Sequence, residues 1–240
     1  MRRVVLACMA WLACGLAFAS PTTLTVVPGT QADGKMTDAW YDALASRYPH
    51  IADATELHAP QPETPEQRAW HALIDSRREA WEAMVPALSV AYAPATAPAE
   101  VSILVGNRGS DDAWTAGPAR ICFDLAALQE NYGDANTAEN SARIDRFFRH
   151  EFTHILQKAW LVDHPAKMDT PTERALFQKW GEGLGNRESV SSKWIDAEGK
   201  PTETAREALD ALGPKMVDRI QAVRCATAAQ ERELTPDLAS

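Results

Sequence analysis

The chain has 240 residues, 45% of them hydrophobic and 24% charged, with 24 Lys+Arg against 33 Asp+Glu. Those proportions exclude a disordered polymer, a disulfide-dense miniprotein and a polytopic membrane protein. The net charge of -9 argues against a sequence-independent nucleic-acid binder, which needs a basic footprint.

Residues 1–19 read as a secretory signal peptide. Arg2 and Arg3 form a basic start, Val4 to Leu16 is an apolar run shorter than a membrane span, and Ala17-Phe18-Ala19 is an A-x-A cleavage site. An exported chain, periplasmic or secreted, with no membrane attachment after cleavage, is the expectation. Cleavage leaves 22 basic against 33 acidic residues, a net charge of -11, and two cysteines, Cys122 and Cys225. In an oxidising compartment these two can pair as a disulfide.

Residues 20–240 read as one domain with its core at about 64–230. Residues 20–35 form an extended lead-in with a Pro-Gly turn. Met36, Trp40, Tyr41, Leu44 and Tyr48 recur at helical spacing, and Pro49 closes that run. Thr64-Pro65-Glu66-Gln67 starts the next helix: Thr64 caps, Pro65 suits the first helical position, and Gln67 reaches back to the cap. Its stripe runs through Trp70, Leu73, Ile74, Arg77, Trp81, Met84 and Val85 as a single helix. Residues 86–99, with three prolines, read as a surface connector. Val101–Val105 and Arg120–Phe123 read as short strands able to pair as an antiparallel ribbon across a turn-rich segment. Residues 131–140 read as a polar loop. Helices are then expected over Ser141–Leu161, over Thr172 to about Asn186, and over Glu203–Leu212 and Pro214–Gln230, the last two interrupted at Gly213-Pro214. Leu209, Leu212, Met216, Val217, Ile220 and Val223 form a core-like stripe on that last pair. The fold class is α+β, helix-rich with one small sheet.

The chemistry concentrates in His150-Glu151-Phe152-Thr153-His154. Two imidazoles at i and i+4 lie one helical turn apart and can face one ion. Glu151 is swung about 100° round the helix, so its carboxylate can serve as a general base rather than a ligand. This is the H-E-x-x-H arrangement of zinc hydrolases. A third protein ligand is required, with a fourth position open to water. The extended form ending in a third histidine is excluded, because Gln157 and Trp160 occupy its Gly and His positions. His164 lies in an Asp-His-Pro turn, and Glu173 completes a capping box with Thr170. Glu182 is the best candidate. It sits in Trp180-Gly181-Glu182-Gly183-Leu184-Gly185, where three glycines cost roughly 1 kcal/mol each in a helix. Close approach to the motif helix is a mechanism that offsets that cost.

HEFTH followed by WGEGLG resembles the gluzincin metallopeptidases, and most closely the small zinc-dependent proteases of bacterial genomes that carry HE-[FY]-x-H and a later EGLA. The resemblance spans about residues 101–190. It departs at Gly185, where the group has alanine, and in a longer interval between His154 and Glu182. It implies a zincin-like fold with the sheet beside the active-site helix, one Zn²⁺ per chain on His150, His154 and Glu182, and Glu151 as catalytic base. The implied activity is hydrolysis of peptide or protein substrates, with a peptide docking along the edge of Val101–Val105 or Arg120–Phe123. Asn186, one turn after Glu182, can bond the outer nitrogen of a zinc histidine. Tyr132, His164 and Arg187 have the chemistry of an oxyanion stabiliser. Two other readings use the same residues: a non-catalytic exported zinc-binding or interaction module, which has no need of Glu151, and a zinc hydrolase acting on a non-peptide amide or ester.

Overall fold

The computed structural model describes residues 21–48, 59–109, 111–224 and 230. The expected leader, residues 1–19, lies outside the described residues, as does Cys225. Among the described residues no helix is long and apolar enough to cross a membrane.

Four strands form one mixed sheet: β1 (Thr23–Pro28), β2 (Glu100–Gly106), β3 (Ala113–Thr115) and β4 (Arg120–Asp124). Their spatial order is β1-β2-β4-β3. The lead-in expected at residues 20–35 contains β1, which runs parallel to β2 with Leu24 opposite Val101. The two strands read as an antiparallel ribbon are parallel instead, with Ile103 opposite Ile121. The turn-rich segment between them holds a three-residue return strand, β3, antiparallel to β4. The chain therefore reverses twice rather than once before β4, and two reversals restore the original direction.

Seven helices complete the described fold. The first, α1 (Asp38–Arg47), is capped by Thr37 and lays Trp40 across the end of β2. Gly106 is needed there, because a Cβ would fall 2.4 Å from the Trp40 ring. The expected capping box at Thr64 and Gln67 is present and opens α2 (Pro65–Ser76). The single helix expected through Val85 is two, since α3 (Arg78–Ser89) begins after a break at Arg77. Arg77, at that break, makes a two-pronged bond to Asp145, 2.9 Å from Nε and 2.6 Å from a terminal nitrogen. The connector expected from residue 86 is helical to Ser89 and then a 3-10 turn over Val90–Tyr92. A fourth helix, α4 (Leu125–Tyr132), was not marked by periodicity; Asp124 caps it by accepting from the Ala127 N–H.

The longest helix is α5 (Ala138–Asp163), extending the expected Ser141–Leu161 by a Thr137 cap at one end. Its apolar face packs on the sheet and on α3. Trp81 lies between Phe148, at 4.7 Å with its ring nearly parallel, and Phe123, at 5.8 Å. The Trp81 indole N–H also donates to Asp145 at 2.8 Å. This aromatic stack and the Arg77–Asp145 pair fix the rotation of α5 about its axis, which decides where its polar residues point. Next, α6 (Pro171–Ser189) opens with the expected Thr170–Glu173 capping box.

The last helix, α7 (Glu203–Arg224), is continuous through Pro214. A proline at 214 removes only one N–H bond, to the carbonyl of exposed Asp210, which water can satisfy. Its stripe is only partly core. Val223 is buried with Ala175, whereas Leu209, Leu212, Met216 and Val217 are 62, 57, 37 and 53% exposed. Periodicity marks one apolar face but not whether an element of the chain covers it.

Candidate metal centre

α5 and α6 pack against each other, and their contact builds the site. His150 and His154 come from consecutive turns of α5, as the spacing requires, and Glu182 comes from α6. The His150 and His154 Nε2 atoms are 3.0 Å apart. Glu182 places one carboxylate oxygen 3.2 Å from His150 Nε2 and the other 3.6 Å from His154 Nε2. One ligand atom from each of the three side chains lies within 4.8 Å of the others. A tetrahedral ion with bonds of about 2.0–2.1 Å to such donors has edges of about 3.3 Å. The His150–His154 and His150–Glu182 separations, 3.0 and 3.2 Å, lie close to that value, so this donor set fits a divalent metal. His150, His154 and Glu182 can hold a metal ion.

The glycines around Glu182 act unequally. A Cβ on Gly185 would lie 2.8 Å from His150 Cε1 and 2.9 Å from its Nδ1. A Cβ on Gly181 would meet the Gln157 oxygen at 3.4 Å, while Gly183 faces open space. Gly185 therefore sets how closely the two helices approach, and Gly181 assists.

Gln157 is a site residue that the spacing argument passed over. Its amide nitrogen donates to the Gly181 carbonyl at 2.9 Å. A carbonyl can only accept, so the Gln157 oxygen must face His154, whose Nδ1 is 2.9 Å away. His154 Nδ1 then carries the proton, and Nε2 keeps its lone pair for an ion. The available signal was a buried amide one turn after a motif histidine on an otherwise apolar face. Asn186, expected in this role, lines the cavity but makes no side-chain hydrogen bond to either histidine among the described residues.

The electrostatics follow from burial. Burial pushes the Glu151 carboxyl above its ordinary value, and the two histidines only partly oppose this. Burial acts on Glu182 in the same direction. There, hydrogen bonds and charge from His150 and His154 win and hold the carboxyl below its usual range. Burial would lower the His154 imidazole, but its bond to Glu182 and the charge of Glu151 raise it.

A cavity of about 650 Å³ opens over the cluster. Its floor is α5, including His150, Glu151 and His154; α6 forms one side, and residues 111–115 form the other. None of Tyr132, His164 and Arg187 lines it. Tyr132 donates to Asp112 at 2.5 Å, and the His164 ring stacks on Trp160 at 4.1 Å. Cys122 is a buried free thiol on β4, pushed up to about 12 chiefly by that burial.

No family model matches the chain, and no curated protein or solved structure matches it.

Proposed function

We propose that the chain is an exported zinc-dependent peptidase of the gluzincin type, with a zincin-like arrangement of sheet and active-site helix. The observation that carries this reading is the convergence of His150, His154 and Glu182 on a cavity that Glu151 also lines. Two neutral nitrogens and one carboxylate suit zinc. Export rests on the residues of the leader, 1–19.

A zinc ion held by His150, His154 and Glu182 would supply Lewis acidity and would acidify a water at the site. Glu151 accepts the proton as water attacks the peptide carbonyl and returns it to the leaving amine. Burial raises its proton affinity, toward what a base working near neutral pH needs. The Gln157 amide keeps His154 in one tautomer and one orientation throughout.

Substrate docking follows from the sheet order. β2 is interior and β4 is flanked by β2 and β3, so neither strand expected to receive a peptide has a free edge. β3 has one, and it borders the cavity. Asp112 accepts from the Asp124 N–H and Ala116 donates to the Arg120 carbonyl. By antiparallel alternation, the backbone groups of Ala113 and Thr115 point away from β4 and are available to an added strand.

The test is cleavage of quenched peptides by the mature chain, with and without chelator. Glu151→Gln is expected to abolish turnover while zinc stays bound at one per chain. Wild-type cleavage rates in that variant would remove Glu151 as the base. Loss of fold on chelation, with no cleavage before it, would favour a structural zinc module instead.

A further inference from the structure

Four cations line the cavity: Arg47, Arg143, Arg146 and Lys158. Three have an acidic partner. Arg47 pairs with Asp111 at 2.8 Å, and Arg143 and Arg146 share Glu139 at 3.4 and 2.6 Å. Lys158 differs from them. Among the described residues its Nζ bonds only neutral acceptors, Thr115 Oγ1 at 2.9 Å and the Gly117 carbonyl at 3.0 Å.

Two features make this arrangement informative. An ammonium has three N–H donors, so one remains after those bonds, and its charge is not neutralised by a neighbouring carboxylate. Lys158 also lies on the face of α5 that carries the site, one turn after His154 and about 10 Å along the axis from Glu151. Side chains on a helix lean toward its N-terminus, which carries the ammonium back toward the metal ligands. Thr115, its partner, belongs to the free edge of β3. A neutral donor would tie β3 to α5 equally well.

Resting on the peptidase reading above, we infer that Lys158 is a specificity-determining residue that binds a carboxylate of the substrate near the scissile bond. An acidic side chain and a free chain terminus offer the same group.

The experiment uses the zinc-loaded mature chain and matched quenched peptides. One series exchanges Glu for Gln at each position flanking the cleaved bond; the other exchanges a free C-terminus for an amide. In one series the carboxylate-bearing peptide is expected to exceed its neutral match in kcat/KM by about tenfold, the effect of one charge-assisted hydrogen bond. The series that responds identifies the source. The ratio falls toward one in Lys158→Gln, returns in Lys158→Arg, and inverts in favour of Lys-bearing peptides in Lys158→Glu. Melting curves and zinc content control for folding, and the wild-type arm needs no variant. Cleavage by wild type without carboxylate preference overturns the inference, as does a preference that survives in Lys158→Gln. A wild-type chain that cleaves no peptide overturns the peptidase reading and this inference together, a result distinct from unselective cleavage.

Discussion

Gly185 lies against His150 so closely that a Cβ at 185 would sit 2.8 Å from the imidazole Cε1. Gly185→Ala gains helix propensity of about 1 kcal/mol but must displace the ring, which is the movable end of a side chain. The variant is expected to stay folded, with zinc affinity reduced by about tenfold, in line with perturbed ligand orientation elsewhere. Competition with a chromogenic chelator reads this directly. An unchanged dissociation constant would show that His150 has room the structure does not give it.

Gln157 couples His154 to the backbone of α6. In Gln157→Leu the Gly181 carbonyl loses its donor and His154 loses the acceptor that fixes its tautomer. Zinc affinity is expected to fall about 10–100-fold, the usual range for removing an outer partner of a metal histidine. Gln157→Glu keeps the acceptor for His154 but sets a carboxylate against a carbonyl. It should bind zinc better than Leu while melting lower than wild type. Equal zinc affinity in all three chains would deny Gln157 an orienting role.

The legible parts of the molecule were those written in short stretches of chain. Both capping boxes, at Thr64 and Thr170, are complete within four residues, and each appears as expected. The meeting of His150, His154 and Glu182 was legible for the same reason. The spacing of His150 and His154 is a property of one helix, and the glycines beside Glu182 record a close approach without naming the partner. What local pattern does not encode is who pairs with whom. The parallel register of β2 and β4 depends on β3, three residues too short to show a period. The break falls at Arg77, whose side chain is held by Asp145, a residue 68 positions away. The stripe on α7 looks like core because apolar spacing is the same whether a face is covered or bare.

Cys122 offers a chemical probe of the sheet. Its thiol is fully buried beside Trp114 and Leu104, and burial raises its pKa to about 12. The thiolate is the reactive species, so almost none is available at neutral pH. Iodoacetamide applied to the native chain is expected to leave the Cys122 peptide unmodified, whereas the unfolded chain labels fully. Peptide mapping by mass spectrometry separates this site from Cys225. Native labelling of Cys122 at the rate of a small free thiol would place β4 at the surface and contradict the fold.

Asp124 predicts a pH dependence that is independent of the metal centre. Its side chain is fully buried at the start of α4, where it accepts from the N–H groups of Ala127 and Gly109. Burial outweighs those bonds, with Asp112 adding to it, and raises the carboxyl from 3.8 to about 6. The folded state thus holds this proton between about pH 4 and 6 while the unfolded chain has released it. Stability attributable to Asp124 is present below pH 4 and falls as pH rises through 6, by about 3 kcal/mol at 1.36 kcal/mol per pKa unit. Other groups titrate in the same window, so the comparison is between wild type and Asp124→Asn. The amide removes the titration and adds a fixed cost, because its NH₂ cannot accept from both N–H donors. Urea unfolding at pH 4.5 and 7 is expected to show wild type losing about 2 kcal/mol more than the variant over that interval. Parallel pH profiles in the two chains would mean that the Asp124 carboxyl is ionised throughout, its backbone donors outweighing its burial.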